Sequence, residues 1–147
     1  MKKIYLVTAL ACCALQPTLA QKQEECKPVN LHCDHLINPL GIDNANPRLS
    51  WMLDDARQGA RQTAYQIIVS TDSLKANNEN GEIWNSGKKE SDQILVTYPE
   101  KNLQPFTKYY WKVNVWDKDG VKSSSAINSF ETGMMGTVSY THLTLPT

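Results

Sequence analysis

The stretch Leu103–Gly120, LQPFTKYYWKVNVWDKDG, decides the fold. Side chains alternate between two faces along an extended chain. Tyr109, Trp111, Val113 and Val115 therefore share one face, and Tyr110, Lys112, Asn114 and Trp116 the other. The first set is entirely aromatic or aliphatic and is expected to face a core. Tyr109 is expected to bury its ring and return its hydroxyl to a nearby backbone group, because a buried phenol needs a partner. The closing DKDG has the composition of a tight turn between two strands.

Working outward, apolar residues recur at alternate positions from residue 31 onward, in short runs separated by Gly, Asn, Asp and Pro. That period predicts strands over Leu31–Ile37, Arg48–Leu53, Ala64–Ser70, Glu82–Ser86, Ile94–Tyr98, Lys108–Trp116 and Ala126–Thr132. The breaks NPLGIDNANP and KANNENGE carry turn chemistry. Seven short strands predict an all-β fold, a seven-stranded immunoglobulin/fibronectin type III-like sandwich. Leu103, Pro105, Thr107 and Tyr109 at alternate positions resemble the tyrosine corner at the start of strand F in such sandwiches. Leu49, Trp51 and Leu53 also alternate, which makes Trp51 a core slab.

No helix of four turns is visible. Asp54–Gln62 is interrupted by Gly59 and has no apolar stripe, so it reads as a loop. Asp54 and Asp55 are adjacent, point apart and lack apolar neighbours to raise either pKa, so a solvated turn is expected in place of an acid–base pair. Trp84 and Trp116 are not assigned inward by alternation. A sugar-stacking platform is one reading of them, and coverage by a neighbouring domain is the reading preferred here.

The 147 residues are 41% hydrophobic and 20% charged, which fits one globular domain with additions at the ends. Formal charge is zero and the two signs are interspersed, so no basic stripe offers itself to nucleic acid. Residues 1–20 read as a secretory signal peptide: two lysines, an apolar run from Ile4 to Leu15, then Pro17 and Ala20. The run is short of the roughly 20 residues that span a bilayer. Cleavage near Ala20 leaves Gln21 first and no membrane span, and predicts a secreted or periplasmic product. Lipid attachment at Cys12 or Cys13, anchoring the protein at the surface, is the lesser alternative.

Cleavage leaves Cys26 and Cys33, in an oxidising compartment. A local disulfide and two unpaired thiols stand as equal readings. Cys26, His32, Cys33 and His35 do not have the spacing of paired zinc hooks, and the two histidines read as polar members of a strand. No catalytic, cofactor-binding or metal-binding residue is assigned, and no cofactor is implied.

In order and spacing, NPLGIDNANPRLSW, RQTAYQIIVS, IWNSGKKES, and LQPFTKYYWKVNVWDKDG followed by FETG resemble the N-terminal sandwich domain of secreted bacterial α-L-rhamnosidases of glycoside hydrolase family 78. The resemblance covers Val29 to Gly136, and the general sequence style is similar to gut Bacteroides-type secreted enzymes. It implies a parent enzyme that removes terminal α-linked L-rhamnose with inversion. Two acidic residues in a later (α/α)6 barrel would act as general acid and as the group that activates water. Residues 137–147 are too few for one helical hairpin of such a barrel, so no catalytic residue is carried over to this sequence.

The last ten residues, VSYTHLTLPT, resemble a transposase-type sequencing adapter in translation. The frame demands Ser, Pro, Thr or Ala before Val138, and Thr137 stands there. The expected organisation is therefore a signal peptide at 1–20, a leader at 21–28, the sandwich at 29–136 and an adapter-derived tail at 137–147. The expected function is a non-catalytic accessory domain, inactive by itself, whose partners are the catalytic and other domains of the same parent chain. The alternative is a free-standing extracytoplasmic binding or adhesion module that contacts glycan through Trp84 and Trp116.

Overall fold

In the computed structural model, residues 25–99 and 103–136 are described. The signal peptide expected at 1–20 and the tail expected at 137–147 lie outside them. The described residues form two antiparallel sheets. The smaller has the order β1 (Lys27–Cys33), β2 (Arg48–Asp54), β6 (Leu95–Thr97). The larger centres on β3 (Gln62–Ser70) and β7 (Lys108–Asp117), paired antiparallel along almost their whole length.

Each edge of the larger sheet is one strand position filled by two segments. On one side β4 (Trp84–Asn85) pairs with Ile68 and Val69, and β5 (Lys89–Glu90) with Ala64 and Tyr65. On the other, β8 (Lys122–Ser124) pairs with Asn114–Trp116, and β9 (Asn128–Glu131) with Lys108–Trp111. Nine segments thus occupy seven strand positions, and the seven-stranded sandwich stands. The strand expected over Glu82–Ser86 shortens to β4, and that over Ala126–Thr132 shortens to β9. β5 and β8 were not foreseen: Lys, Glu and Ser on a partly exposed edge carry no apolar alternation, and charge there blunts edge-to-edge pairing.

The inward face of β7 is as expected, with Tyr109, Trp111, Val113 and Val115 all buried. They pack with Tyr65, Ile67 and Val69 of β3, Leu49 and Trp51 of β2, Leu31, Tyr98 and Phe130 in one core. Each such large side chain removed from water contributes about 1.5–3 kcal/mol. Tyr109 stacks on Phe130 at 5.3 Å between centroids, and its hydroxyl accepts the Gln104 N–H at 2.8 Å, completing the tyrosine corner.

Trp51 occupies the core and donates its indole N–H to Gln62 Oε1 at 3.0 Å. Gln62 spends its own amide N–H on the carbonyls of Ser91 and Gln93, at 3.1 and 2.8 Å. One buried amide therefore links β2 of one sheet, β3 of the other and the loop that leads into β6.

The first strand lies earlier than expected, at Lys27–Cys33 in place of Leu31–Ile37. Asp34 and His35 adopt left-handed backbone, with φ of 47° and 69°, and a turn closes between Cys33 and Leu36. Asp34 stabilises that turn by accepting the Arg48 N–H at 2.8 Å and the Asn44 amide at 3.0 Å. His32 is thus a strand residue, whereas His35 belongs to the turn, with its Nε2 2.9 Å from Arg48 Nη2.

A one-turn helix, α1 (Ser73–Asn77), replaces part of the expected KANNENGE turn. Asp72 caps it by accepting the Leu74 N–H at 2.7 Å. Ala76 is the residue α1 buries. Asp54 and Gln62 belong to β2 and β3, leaving residues 55–61 as the loop foreseen there.

Candidate functional site

The outward face of the β3–β7 sheet sets Gln66, Ser70, Lys112 and Asn114 beside Ala64 and Ile68, and much of it is buried. Lys112 is 6% exposed and Asn114 is fully covered, because α1 and the turn after it pack across β3 and β7. Lys112 Nζ donates to the Asn77 carbonyl at 3.0 Å, and burial pushes its pKa down against the opposing pull of Glu79. Glu79 also accepts from Lys122 Nζ at 2.5 Å, and that bond holds its carboxyl below the ordinary range.

A directed chain of side-chain hydrogen bonds crosses four strands here. Ser124 Oγ donates to Asn114 Oδ1, Asn114 Nδ2 to Gln66 Oε1, and Gln66 Nε2 to Asn85 Oδ1, at 2.6, 3.1 and 3.0 Å. Beside it, Lys88 and Lys122 stand over the Trp116 ring at 4.9 and 5.7 Å from the centroid. Trp84 is half-buried against the core and meets Tyr98 edge-on at 5.2 Å. The two tryptophans left open by alternation thus differ: Trp84 serves packing, and Trp116 carries two cations at the surface.

The solvated turn expected at Asp54 and Asp55 is corrected for Asp55. Asp54 is exposed, but the Asp55 side chain is 2% exposed and bound by Arg57 Nη2 at 2.6 Å. The same guanidinium reaches Asp117 at 2.7 Å, whose side chain is 1% exposed. Asp117 Oδ1 in turn accepts the N–H groups of Asp119 and Val121, organising the DKDG turn around Gly120 at φ 77°. The Arg57 hydrogen bond pulls the Asp55 pKa to about 2. At Asp117 burial pushes upward, but Arg57 and the two turn amides together outweigh it, and the net direction is down. Both carboxyls are held ionised by a shared cation, the opposite of what a general acid requires.

Cys26 and Cys33 are both free and buried, which corrects the disulfide reading. Cys26 immediately precedes β1 and Cys33 ends it, roughly 20 Å apart at the rise of a strand, whereas a disulfide needs Cα atoms within about 7 Å. Burial pushes the Cys33 thiol up to about 12 and also raises Cys26. Among the described residues no group of three or more His, Cys, Asp or Glu side chains could hold a metal ion, and no helix is long and apolar enough to cross a membrane. Cys26, just before β1, is tied to the larger sheet: its carbonyl accepts the Ser123 hydroxyl of β8.

A sandwich with a tyrosine corner and an N-terminal strand pinned at β8 can be compared with known proteins. A family model described as "Rha78A-like, N-terminal immunoglobulin domain" matches residues 28–136. The chain belongs to that family. Among curated relatives, an α-L-rhamnosidase of Streptomyces avermitilis is 46% identical over 105 residues, which are 70% of this chain and 10% of the relative. The solved Dictyoglumus thermophilum α-L-rhamnosidase superposes with a TM-score of 0.71 at 40% identity, covering 74% of this chain and 12% of that one. The Streptomyces avermitilis enzyme solved with L-rhamnose gives 0.72 at 39% identity, covering 77% and 11%. As a Rha78A-like N-terminal domain, the chain spans about a tenth of the length of the relatives it matches.

Proposed function

We propose that this chain is the leading, non-catalytic scaffold domain of a longer exported α-L-rhamnosidase. One observation carries the reading: the match to an N-terminal rhamnosidase domain runs from residue 28 to 136, while the relatives devote roughly nine-tenths of their length to other domains. The chemistry of this domain agrees with support in place of catalysis. Its most buried carboxylates, Asp55 and Asp117, are clamped by Arg57, and the β3–β7 outer face is closed by α1 and a polar ladder. Hydrolysis of terminal α-L-rhamnose belongs, in this proposal, to the parent enzyme.

Reading the gene past codon 136 tests the proposal. An open frame continuing for several hundred codons into helical repeats supports it, and a native stop codon there refutes it. On p-nitrophenyl α-L-rhamnoside the chain alone is expected to give no rate above background. Export by the 1–20 signal peptide is part of the proposal, and N-terminal sequencing of the exported product should begin at Gln21.

A further inference from the structure

We propose that the pole formed by the 36–42 loop and the Phe106 turn is the surface on which the next domain of the parent enzyme docks. This rests on the scaffold reading above and specifies its contact face. Three observations single the pole out.

The first is exposure on a built platform. Leu36, Ile37, Leu40 and Phe106 are 58%, 63%, 77% and 72% exposed. Their combined area is on the order of several hundred Å², the size of the largest apolar patch on a typical monomer. Their backbones are neighbours: Pro39 O accepts from Glu131 N, Ile42 pairs with Thr132, Gly133 N donates to Ile42 O, and Phe106 N donates to Gly133 O. The loop is irregular but tied down. Asn38 Oδ1 accepts the Ser129 N–H at 2.8 Å and Asp43 Oδ1 the Met135 N–H at 3.0 Å. Asp43 Oδ1 would lie 2.5 Å from a Cβ at position 133, so only glycine permits this approach. Leu40 is thus held toward water by a fixed backbone, the preorganisation that lowers the cost of binding.

The second is backbone conformation. Most left-handed non-glycine residues described are Asn, Asp, His or Glu; of the two bulky apolar ones, Met135 packs against the core, whereas Phe106, at φ 50°, is 72% exposed at this pole. A bulky side chain in that region is strained. Asn or Gly would suit the Phe106 turn better, yet a largely exposed phenyl ring stands there.

The third is continuity. The family match ends at residue 136, three residues beyond Gly133, and the rest of a relative lies outside the matched domain. Residues 131–133, bonded to Pro39, Ile42 and Phe106, are the last stretch before that boundary, so an element following residue 136 begins within a few residues of this surface at small loop cost.

The test grafts residues 27–136 of this chain in place of the matched region of the Streptomyces avermitilis α-L-rhamnosidase. A second graft carries Leu40→Asp with Phe106→Asn, the latter suited to left-handed backbone. Both substitutions are also placed in the 147-residue chain alone. The substituted graft is expected to be nicked by protease near the junction at least about tenfold faster than the unsubstituted graft, as cleavage follows the population of the undocked form. The same substitutions should not lower the melting midpoint of the isolated chain, and relief of strain at position 106 should raise it. A folded, active graft whose nicking rate is unmoved by the substitutions overturns the docking face and leaves the scaffold reading standing. An unsubstituted graft without rhamnosidase activity overturns both. Collapse of the substituted isolated chain makes these residues part of the domain's own core, and dimerisation of the isolated chain abolished by the substitutions assigns the face to a second copy. Either result overturns the proposal.

Discussion

Replacing Gln62 by methionine keeps the length of the side chain and deletes its amide. Gln62 is 2% exposed and its partner Trp51 is 1% exposed, so water cannot reach the indole N–H that Gln62 Oε1 now accepts. A buried donor left unpaired costs about 1–3 kcal/mol. The carbonyls of Ser91 and Gln93 lie on a partly exposed loop and regain water, so losing those two bonds adds only about 1 kcal/mol between them. The sum is about 2–4 kcal/mol. For a domain near 100 residues this lowers the thermal midpoint by roughly 10–20 °C. Far-UV circular dichroism during heating and urea titration measures both quantities. Adding Trp51→Phe removes the stranded donor, so the double variant should be less destabilised than the sum of the singles by about 1 kcal/mol or more. A Gln62→Met loss under about 0.5 kcal/mol, or strict additivity, refutes the argument that this amide joins the sheets.

Three further outcomes can be checked. Tyr109→Phe removes the acceptor of the Gln104 N–H and should cost about 1 kcal/mol, seen as a midpoint about 4–8 °C lower. Asp55 and Asp117 have depressed pKa values in the folded state, so their contribution is present above the unfolded carboxyl pKa of about 3.9 and is lost as pH falls toward about 2. Urea midpoints should therefore drop between about pH 4 and pH 2, and Arg57→Met should flatten that decline while lowering stability at neutral pH. Cys26 and Cys33 should react with a thiol reagent only slowly in the native protein at neutral pH and fully on denaturation, since both are buried with raised pKa values. Mass spectrometry of non-reduced protein lacking a mass loss for a bridge gives the same answer independently.

The parts legible in the linear chain are those whose signal is local. The alternation in β7 and β2 places Tyr109, Trp111 and Trp51 inward without reference to any other strand, and the tyrosine corner needs only the six residues from Gln104 to Tyr109. What the linear chain leaves open has a different cause. Alternation assigns Lys112 and Asn114 to the outward face of β7 without deciding their exposure, and both are buried once α1 and the turn after it lie across the sheet. That helix has five residues and depends on the Asp72 cap and on packing, so no helical period announces it. Asp55 looks solvated because Asp117, which shares Arg57 with it, is brought close only when the loop before β3 meets the end of β7. The Cys26–Cys33 bridge seemed possible because seven positions is a short interval along the chain, although an extended strand makes it a long one in space.

The class of architecture and the inward faces of the central strands are legible in the linear chain, because side-chain alternation and turn chemistry act between near neighbours, and the family is legible in four motifs that follow in order. Tertiary structure alone decided which charges are buried and paired, which tryptophan is spent on packing, and where a rigid apolar pole stands in water. Burial depends on what arrives from elsewhere in the chain to displace solvent, and no local pattern of residues specifies that arrival.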